Sequence, residues 1–297
     1  AANELLLGVG EGTGSFAVSS SFPRVSAITR SIALGDMDQD GHLDIVVGNH
    51  DAANKLLLGD GVGGFTASYS FPGGSDQTFS IALGDVNHDG HLDIVVGNDG
   101  AGNELLLGDG AGGFWTSDSF PGGSSITKSI ALGDVNQDGH LDIVVGNNGA
   151  ANELLFGDGA GGFTKSNSFP GGSSNTDSIA LGDMNRDGYL DIVVGNNEAA
   201  NDLLLGDGAG DFTASNDFPG GSANTYSIAL GDVNQDGHLD MVVGNDEGLI
   251  DGAPSNEVLL GDDPGGFTAS SSLPGGSAST FSIALGDVNR DGHLDIV

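Results

Sequence analysis

Asp36-Met37-Asp38-Gln39-Asp40-Gly41-His42-Leu43-Asp44 leads directly into the apolar run Ile45-Val46-Val47-Gly48-Asn49. Oxygen-bearing side chains stand at positions one, three, five and nine of this stretch, and glycine stands at six, where the chain can turn back on itself. Oxygens spaced in this way converge, and the backbone carbonyl of position seven adds another. The result is about six or seven hard ligands, which suits calcium better than the tighter octahedron of magnesium. The first six residues would also open an EF-hand loop. That loop needs Glu at position twelve before an exiting helix, whereas position twelve here is Val47, inside a strand pattern.

The stretch occurs six times and gives six candidate ligand sets. These are Asp36, Asp38, Asp40, His42 and Asp44; Asp85, Asn87, Asp89, His91 and Asp93; Asp134, Asn136, Asp138, His140 and Asp142; Asp183, Asn185, Asp187, Tyr189 and Asp191; Asp232, Asn234, Asp236, His238 and Asp240; and Asp287, Asn289, Asp291, His293 and Asp295. Position three is an acid only at Asp38, so the first loop is expected to bind its ion most tightly. Histidine recurs at position seven, but a residue that ligates through its carbonyl needs no particular side chain, and Tyr189 takes the place once. Exposed histidines are the expectation, rather than a zinc site shared between repeats.

Successive loops begin 49 residues apart from Asp36 to Asp232 and then 55 apart, because Asp246 to Ser255 carries an insertion. A fixed period of this length marks a repeat architecture. Each unit reads as four strands: Ser31–Gly35, Leu43–Gly48, Asn54–Gly59 and Phe65–Ser70 in the first complete copy, with the last alternating as an edge strand does. Strands one to three are nearly continuous apolar runs, as in sheets covered on both faces.

These features predict an all-β fold, a six-bladed β-propeller of four-stranded antiparallel blades in a single domain over 1–297. The blades fall at about 27–76, 77–125, 126–174, 175–223, 224–279, and 280–297 completed by 1–26. The N-terminal segment supplies strands three and four and the C-terminal segment strands one and two of the sixth blade. Pairing Asp295–Val297 with Asn3–Leu7 would close the ring and leave no open sheet edge at the seam. A chain cut from a longer array would instead allow seven blades.

The recurring Ile-Ala-Leu-Gly-Asp-Val-Asn-x-Asp-Gly-His-Leu-Asp-Ile-Val-Val-Gly-Asn resembles the FG-GAP/VCBS repeat over essentially the whole chain. That repeat is the blade unit of integrin alpha-subunit propellers and of many extracellular proteins. The resemblance implies calcium in the loop joining strands one and two of each blade. It also implies roles in adhesion, in lectins, or as modules of larger surface proteins.

Forty-two acids against seven basic residues give a formal charge of -35, which would repel a phosphate backbone and argues against nucleic acid as a partner. The six loops hold 19 of the acids, and six divalent ions would still leave the chain at about -23. There is no cysteine, hence no disulfide and no thiolate metal site. No apolar run approaches the roughly 20 residues of a membrane span. The chain opens without methionine or a signal peptide and reads as a mature product or an excerpt. Weak calcium loops fill outside the cell, so the expected place is extracellular or the cell surface.

The turn Gly59 to Phe65 recurs once per unit and reads as a hairpin turn rather than a phosphate loop. No Ser/His/Asp or paired-carboxylate set breaks the repeat symmetry, so a non-enzymatic binding module is expected, with a protein or glycan ligand. The residue before each Ser-Ile-Ala-Leu varies as Arg30, Phe79, Lys128, Asp177, Tyr226 and Phe281, which points to one asymmetric face rather than six equal sites. The alternatives are a carbohydrate-binding lectin, for which Trp115, Tyr69, Tyr189 and Tyr226 are the few stacking rings, or a self-assembling structural subunit of an extracellular fibre or surface coat.

Overall fold

The computed structural model describes residues 4–8, 16–19, 23, 27–68, 71–72, 77–118, 120–121, 123, 125–170, 172, 175–215, 224–246, 256–262, 265–270 and 279–297. Every regular element among them is a β-strand, and no helix is long and apolar enough to cross a membrane. The Asp246–Ser255 insertion (beyond Asp246 itself) and Asn3 of the expected seam lie outside the described residues.

The first hairpin is β1 (Leu6–Gly8) and β2 (Phe16–Val18), a two-stranded sheet. Next come β3 (Thr29–Gly35), β4 (Asp44–Asn49), β5 (Lys55–Gly59) and β6 (Phe65–Ala67), hydrogen-bonded in that order, each strand antiparallel to the next. The same plan recurs in β7 (Thr78–Gly84), β8 (Asp93–Asn98), β9 (Glu104–Gly108) and β10 (Phe114–Thr116). It recurs again in β11 (Ile126–Gly133), β12 (Asp142–Asn148), β13 (Glu153–Gly157) and β14 (Phe163–Lys165). The fourth copy is β15 (Asn175–Gly182), β16 (Asp191–Asn197), β17 (Asp202–Gly206) and β18 (Phe212–Ala214). The fifth is β19 (Thr225–Gly231), β20 (Asp240–Asn245), β21 (Asn256–Asp262) and β22 (Gly266–Ala269). The hairpin β23 (Leu285–Gly286) and β24 (Asp295–Ile296) ends the chain as a second two-stranded sheet. Five four-stranded antiparallel sheets of one design make this an all-β, propeller-like fold.

Two compact units divide the chain. One holds 1–132, 140–143 and 155–165, and the other 133–139, 144–154 and 166–297, so the third sheet contributes residues to both. Within the first, Met37, Val46, Leu56, Ile81, Ile94, Val96 and Leu106 form a buried core between the first two sheets. Within the second, Met184, Val193, Leu203, Ile228, Met241, Val243 and Leu259 do the same. Strand two is the heart of each sheet: all six residues of β4 are buried, as β-branched Ile45, Val46 and Val47 fit a pleat covered on both sides. A Cβ at Gly35 would fall 2.7 Å from Leu92 Cδ1, so the glycine is what lets the next sheet approach.

Polar stitches cross from sheet to sheet. Asn54 Nδ2 donates to Thr78 Oγ1 at 2.9 Å, and that hydroxyl donates to Asn98 Oδ1 at 3.0 Å. Asn103 with Thr127, Asn152 with Thr176, and Asn201 with Thr225 repeat the first bond at 2.9 Å. The Ser31 hydroxyl likewise accepts the Ile81 N–H of the following sheet at 3.0 Å. All these Asn and Thr side chains are buried and satisfied, which fixes sheet spacing without a polar penalty.

A register shift between Thr29 and Ser31, and again between Thr78 and Ser80, Thr176 and Ser178, and Thr225 and Ser227, leaves one extra residue in strand one. The extra residues are Arg30, Phe79, Asp177 and Tyr226, members of the varied series. A β-bulge re-aims the side chain it inserts, so the varied residues are lifted out of the ladder that the invariant ones form.

Candidate metal centre

Each loop is preorganised by its own acids. Asp36 Oδ1 accepts the Asp40 N–H at 3.1 Å and Oδ2 the Gly41 N–H at 2.9 Å, while Asp40 Oδ1 accepts the His42 N–H at 2.8 Å. Asp85, Asp183, Asp232 and Asp287 make the same two bonds to positions five and six. Asp134 does so with Asp138 and Gly139. Position four turns with positive φ in all six loops: Gln39 56°, His88 57°, Gln137 56°, Arg186 61°, Gln235 62° and Arg290 62°. That conformation costs a non-glycine residue about 1 kcal/mol or more and persists where neighbours hold it.

Position three separates the first loop from the rest. Asn87 Oδ1 accepts the Asp89 N–H at 3.0 Å and its Nδ2 donates to Asp89 Oδ2 at 2.9 Å. Asn136, Asn185, Asn234 and Asn289 repeat the Nδ2 bond to Asp138, Asp187, Asp236 and Asp291. Asp38 has no such donor. Instead, one carboxylate oxygen from each of Asp36, Asp38 and Asp40 lies within 4.8 Å of the others. Asp38 Oδ1 accepts the Asp40 N–H at 3.3 Å, as the asparagines do, but no amide donor separates the three acids, and acids this close fit a hard divalent cation, which would offset their repulsion.

Position nine does more than complete a ligand shell. Asp44 is fully buried, with Oδ2 accepting the Met37 N–H at 2.7 Å and Oδ1 the Gly59 N–H at 2.8 Å. Asp93 takes Val86 and Gly108, and Asp191 takes Met184 and Gly206, in the same way. Asp240 accepts from Val233 and Gly261, Asp142 from Gly157 and Asp295 from Val288. This carboxylate ties the start of the loop to the end of strand three. In Asp44, Asp93 and Asp191 each oxygen accepts one such N–H and has a second lone pair that an ion could use, whereas Asp240 Oδ2 also accepts the Asn234 N–H at 3.3 Å. Burial pushes the Asp44 carboxyl up, with nearby Asp38 and Asp40 adding to it, and burial drives Asp93 and Asp191 to about 6. Bare loops therefore hold their acids at some cost, which a bound cation relieves.

Position seven is not simply a solvated side chain. A Cβ at Gly61, where φ is 71°, would fall inside the His42 imidazole, and the same holds for Gly110 with His91, Gly159 with His140 and Gly208 with Tyr189. The ring lies flat on the turn between strands three and four, which explains why tyrosine can replace histidine. His42 and His293 are exposed, as expected, but His91, His140, Tyr189 and His238 are half-buried. His91 Nδ1 is buried with no hydrogen-bond partner among the described residues. In the same turn Asp60 Oδ1 accepts the Val62 and Gly64 N–H groups at 2.9 and 2.7 Å, and these bonds hold its carboxyl below the usual range.

Three features escaped the sequence reading. Position two is a buried anchor in Met37, Val86, Val135 and Met184, and its apolar identity in every copy was the available signal. The position-nine strut and the position-four contacts have no local signal, because their partners lie 15 and 51 residues away in sequence. On the varied series, Lys128 Nζ lies 3.3 Å and Arg30 Cζ 5.5 Å from the Phe79 ring centroid, and Tyr226 stacks on Phe281 at 4.8 Å.

Among solved structures, the chain is similar to the computationally designed Ika8 protein, at 13% identity and a TM-score of 0.57, covering 89% of this chain and 67% of that one. It is similar to BBS1N in a complex with ARL6DN, at 12% identity and a TM-score of 0.52 over 92% of both chains. It is also similar to a putative exo-beta-1,3-galactanase from Bifidobacterium bifidum s17, at 10% identity and a TM-score of 0.51, covering 83% of this chain and 93% of that one. Such identities speak to the fold alone. No curated protein sequence matches the chain. The family model for the FG-GAP-like repeat matches at residues 1–47, 36–96, 89–145, 134–194 and 183–243, and the chain belongs to the FG-GAP-like repeat family.

Proposed function

We propose that this protein is an extracellular or cell-surface calcium-binding β-propeller of six blades that acts by holding a ligand, as an adhesion or recognition module, and not by catalysis. The observation that carries the calcium reading is the set of three carboxylate oxygens at Asp36, Asp38 and Asp40, repeated with Asn at position three in five further loops. Calcium supplies the positive charge that lets each loop keep its shape. Positions one, three and five hold it, with the position-seven carbonyl and the position-nine carboxylate. Sites of about 0.1–1 mM affinity contribute about 1.4–2.7 kcal/mol each when calcium stands ten- to a hundredfold above the dissociation constant.

Closure of the ring is part of this proposal. Ile32, Leu34 and Leu43 on the first sheet are 57%, 60% and 61% exposed, whereas Ile81, the counterpart of Ile32, is 8% exposed beneath its neighbour. Gly35, Gly84, Gly182 and Gly231 are each met by two leucines of the following sheet, but among the described residues nothing lies within 4 Å of a Cβ at Gly286. The first sheet thus offers two leucines and the last offers the empty notch that leucines fill elsewhere. Leu34→Cys combined with Gly286→Cys, in a chain otherwise free of cysteine, should cross-link within one molecule. A ladder of linked copies would favour the fibre-subunit reading instead.

The function itself is tested by unfolding the protein with and without a chelator. The midpoint should drop by on the order of 20 °C when calcium is withdrawn, and equal midpoints would contradict the proposal. A carbohydrate ligand is the second reading, favoured by the Tyr226–Phe281 stack, in which Phe281 is 70% exposed and Tyr226 donates to Asp246 Oδ2 at 3.3 Å. Such a platform offers a ring face and an acceptor to a sugar. A glycan array separates it from a protein ligand.

A further inference from the structure

Gln39, the position-four residue of the first loop, donates from Nε2 to the Gly90 carbonyl of the second loop at 2.7 Å. Gln137 does the same to Gly188 at 3.0 Å, and Gln235 to Gly292. In the second loop position four is His88, whose ring sits on His140 of the third loop with centroids 5.0 Å apart. In the fourth it is Arg186, whose charge acts on Asp236 of the fifth loop. Position-four side chains thus touch the next loop in four successive pairs, and the charge of Arg186 acts across the remaining one. The donor residue lies between the position-three and position-five oxygens of its own loop. Its acceptor, position six, lies between the position-five and position-seven ligands of the next.

We infer that the position-four residues Gln39, His88, Gln137, Arg186 and Gln235 are positioning residues that couple calcium binding in each loop to calcium binding in the next. The inference rests on the calcium reading above. An ion drawn to positions three and five fixes the positive-φ residue between them. Once fixed, a glutamine there holds the position-six carbonyl of the neighbouring loop, while His88 rests on its position-seven ring and Arg186 acts on its position-five acid, so the neighbour is ordered before its own ion arrives. The second ion then bears a smaller ordering cost, which is positive cooperativity without a large change of shape. Repulsion between loaded loops acts the other way, but the divalent ion cancels much or all of each loop's charge, all of it in the two loops that carry Arg186 and Arg290, and salt screens what remains.

The test is a calorimetric calcium titration of the full chain, compared with the triple variant Gln39→Asn, Gln137→Asn, Gln235→Asn. Asparagine keeps the amide and tolerates positive φ, but it is one methylene too short to reach the next loop. The native chain should fill over a range of free calcium at least about threefold narrower than the variant, with the same number of ions bound. Ranges of equal width with equal stoichiometry would overturn the coupling while leaving the calcium sites standing. A native chain that takes up no calcium would overturn the calcium reading, and the coupling with it. If the triple variant does not fold, Gln39→Asn alone carries the comparison: the first two ions should then fill independently, and an unchanged range overturns the inference.

Discussion

In the second loop Asn87 Nδ2 donates to Asp89 Oδ2 at 2.9 Å, while in the first loop Asp38 stands at the same place with oxygens only, its carboxylate clustered with those of Asp36 and Asp40. The two loops share their backbone turn, with φ of 56° at Gln39 and 57° at His88, and they share the buried strut, Asp44 in one and Asp93 in the other. Both loops are partly satisfied without a cation, since Asp38 Oδ1 also accepts the Asp40 N–H at 3.3 Å, but only the second has an amide donor between its acids. The backbone and the strut set the shape of a loop, and position three sets how much that shape depends on an ion.

The largest effect expected from a single change lies in what the loops have in common. Asp44→Ala and Asp93→Ala each leave two buried backbone N–H groups without an acceptor, a loss of about 2–5 kcal/mol in denaturant unfolding. The loss should persist in chelator, because the strut acts without the ion. A loss seen only in calcium would make position nine a ligand and nothing more.

Next in size is the exchange of position three. Asp38→Asn should weaken calcium binding at the first loop by about tenfold and, in chelator, stabilise the chain by about 0.5–1 kcal/mol as a carboxylate is replaced by an amide donor to Asp40. Asn87→Asp should do the reverse in the second loop. Calcium titration together with chelator melts of the two variants checks both signs, and changes of the same sign would break the comparison between the loops.

The pH dependence separates loaded from bare loops. Burial holds Asp93 and Asp191 at about 6, above the ordinary carboxylate value near 4. The folded state therefore binds these two protons more tightly than the unfolded state. Their contribution is favourable at low pH and is lost as pH rises through about 6. In chelator, the part of the melting midpoint set by these groups should climb as pH falls from 7.5 to 5. In saturating calcium the trend should reverse, since protons then compete with the ion.

The smallest effect belongs to position seven. Tyr189→His should change stability by less than about 0.5 kcal/mol, because either ring covers the turn glycine, here Gly208, and the proposed ligand is the backbone carbonyl. A larger loss of calcium affinity would assign the side chain a direct role.

Much of this was legible in the sequence because it is local. The glycine at position six, the alternation of oxygens and the apolar runs lie within fifteen residues of one another, and their 49-residue period exposes the sheets. What stayed hidden acts between sheets. Nothing near Asn54 announces that its amide will meet Thr78, and nothing near Asp44 that it will cap the N–H of Gly59. The varied residues were visible as variation, but their common cause, an extra residue in strand one, is a property of the ladder. The expectation of exposed histidines missed the half-buried rings for the same reason, since the turn that receives each ring comes from a different hairpin.

The most direct test is to count the ions. After gel filtration in millimolar calcium, native mass spectrometry of the intact chain should find six calcium ions per molecule, lost on chelation and restored on readdition. A chain that carries none, or whose folding is indifferent to their removal, would contradict the claim that these loops are built around a cation.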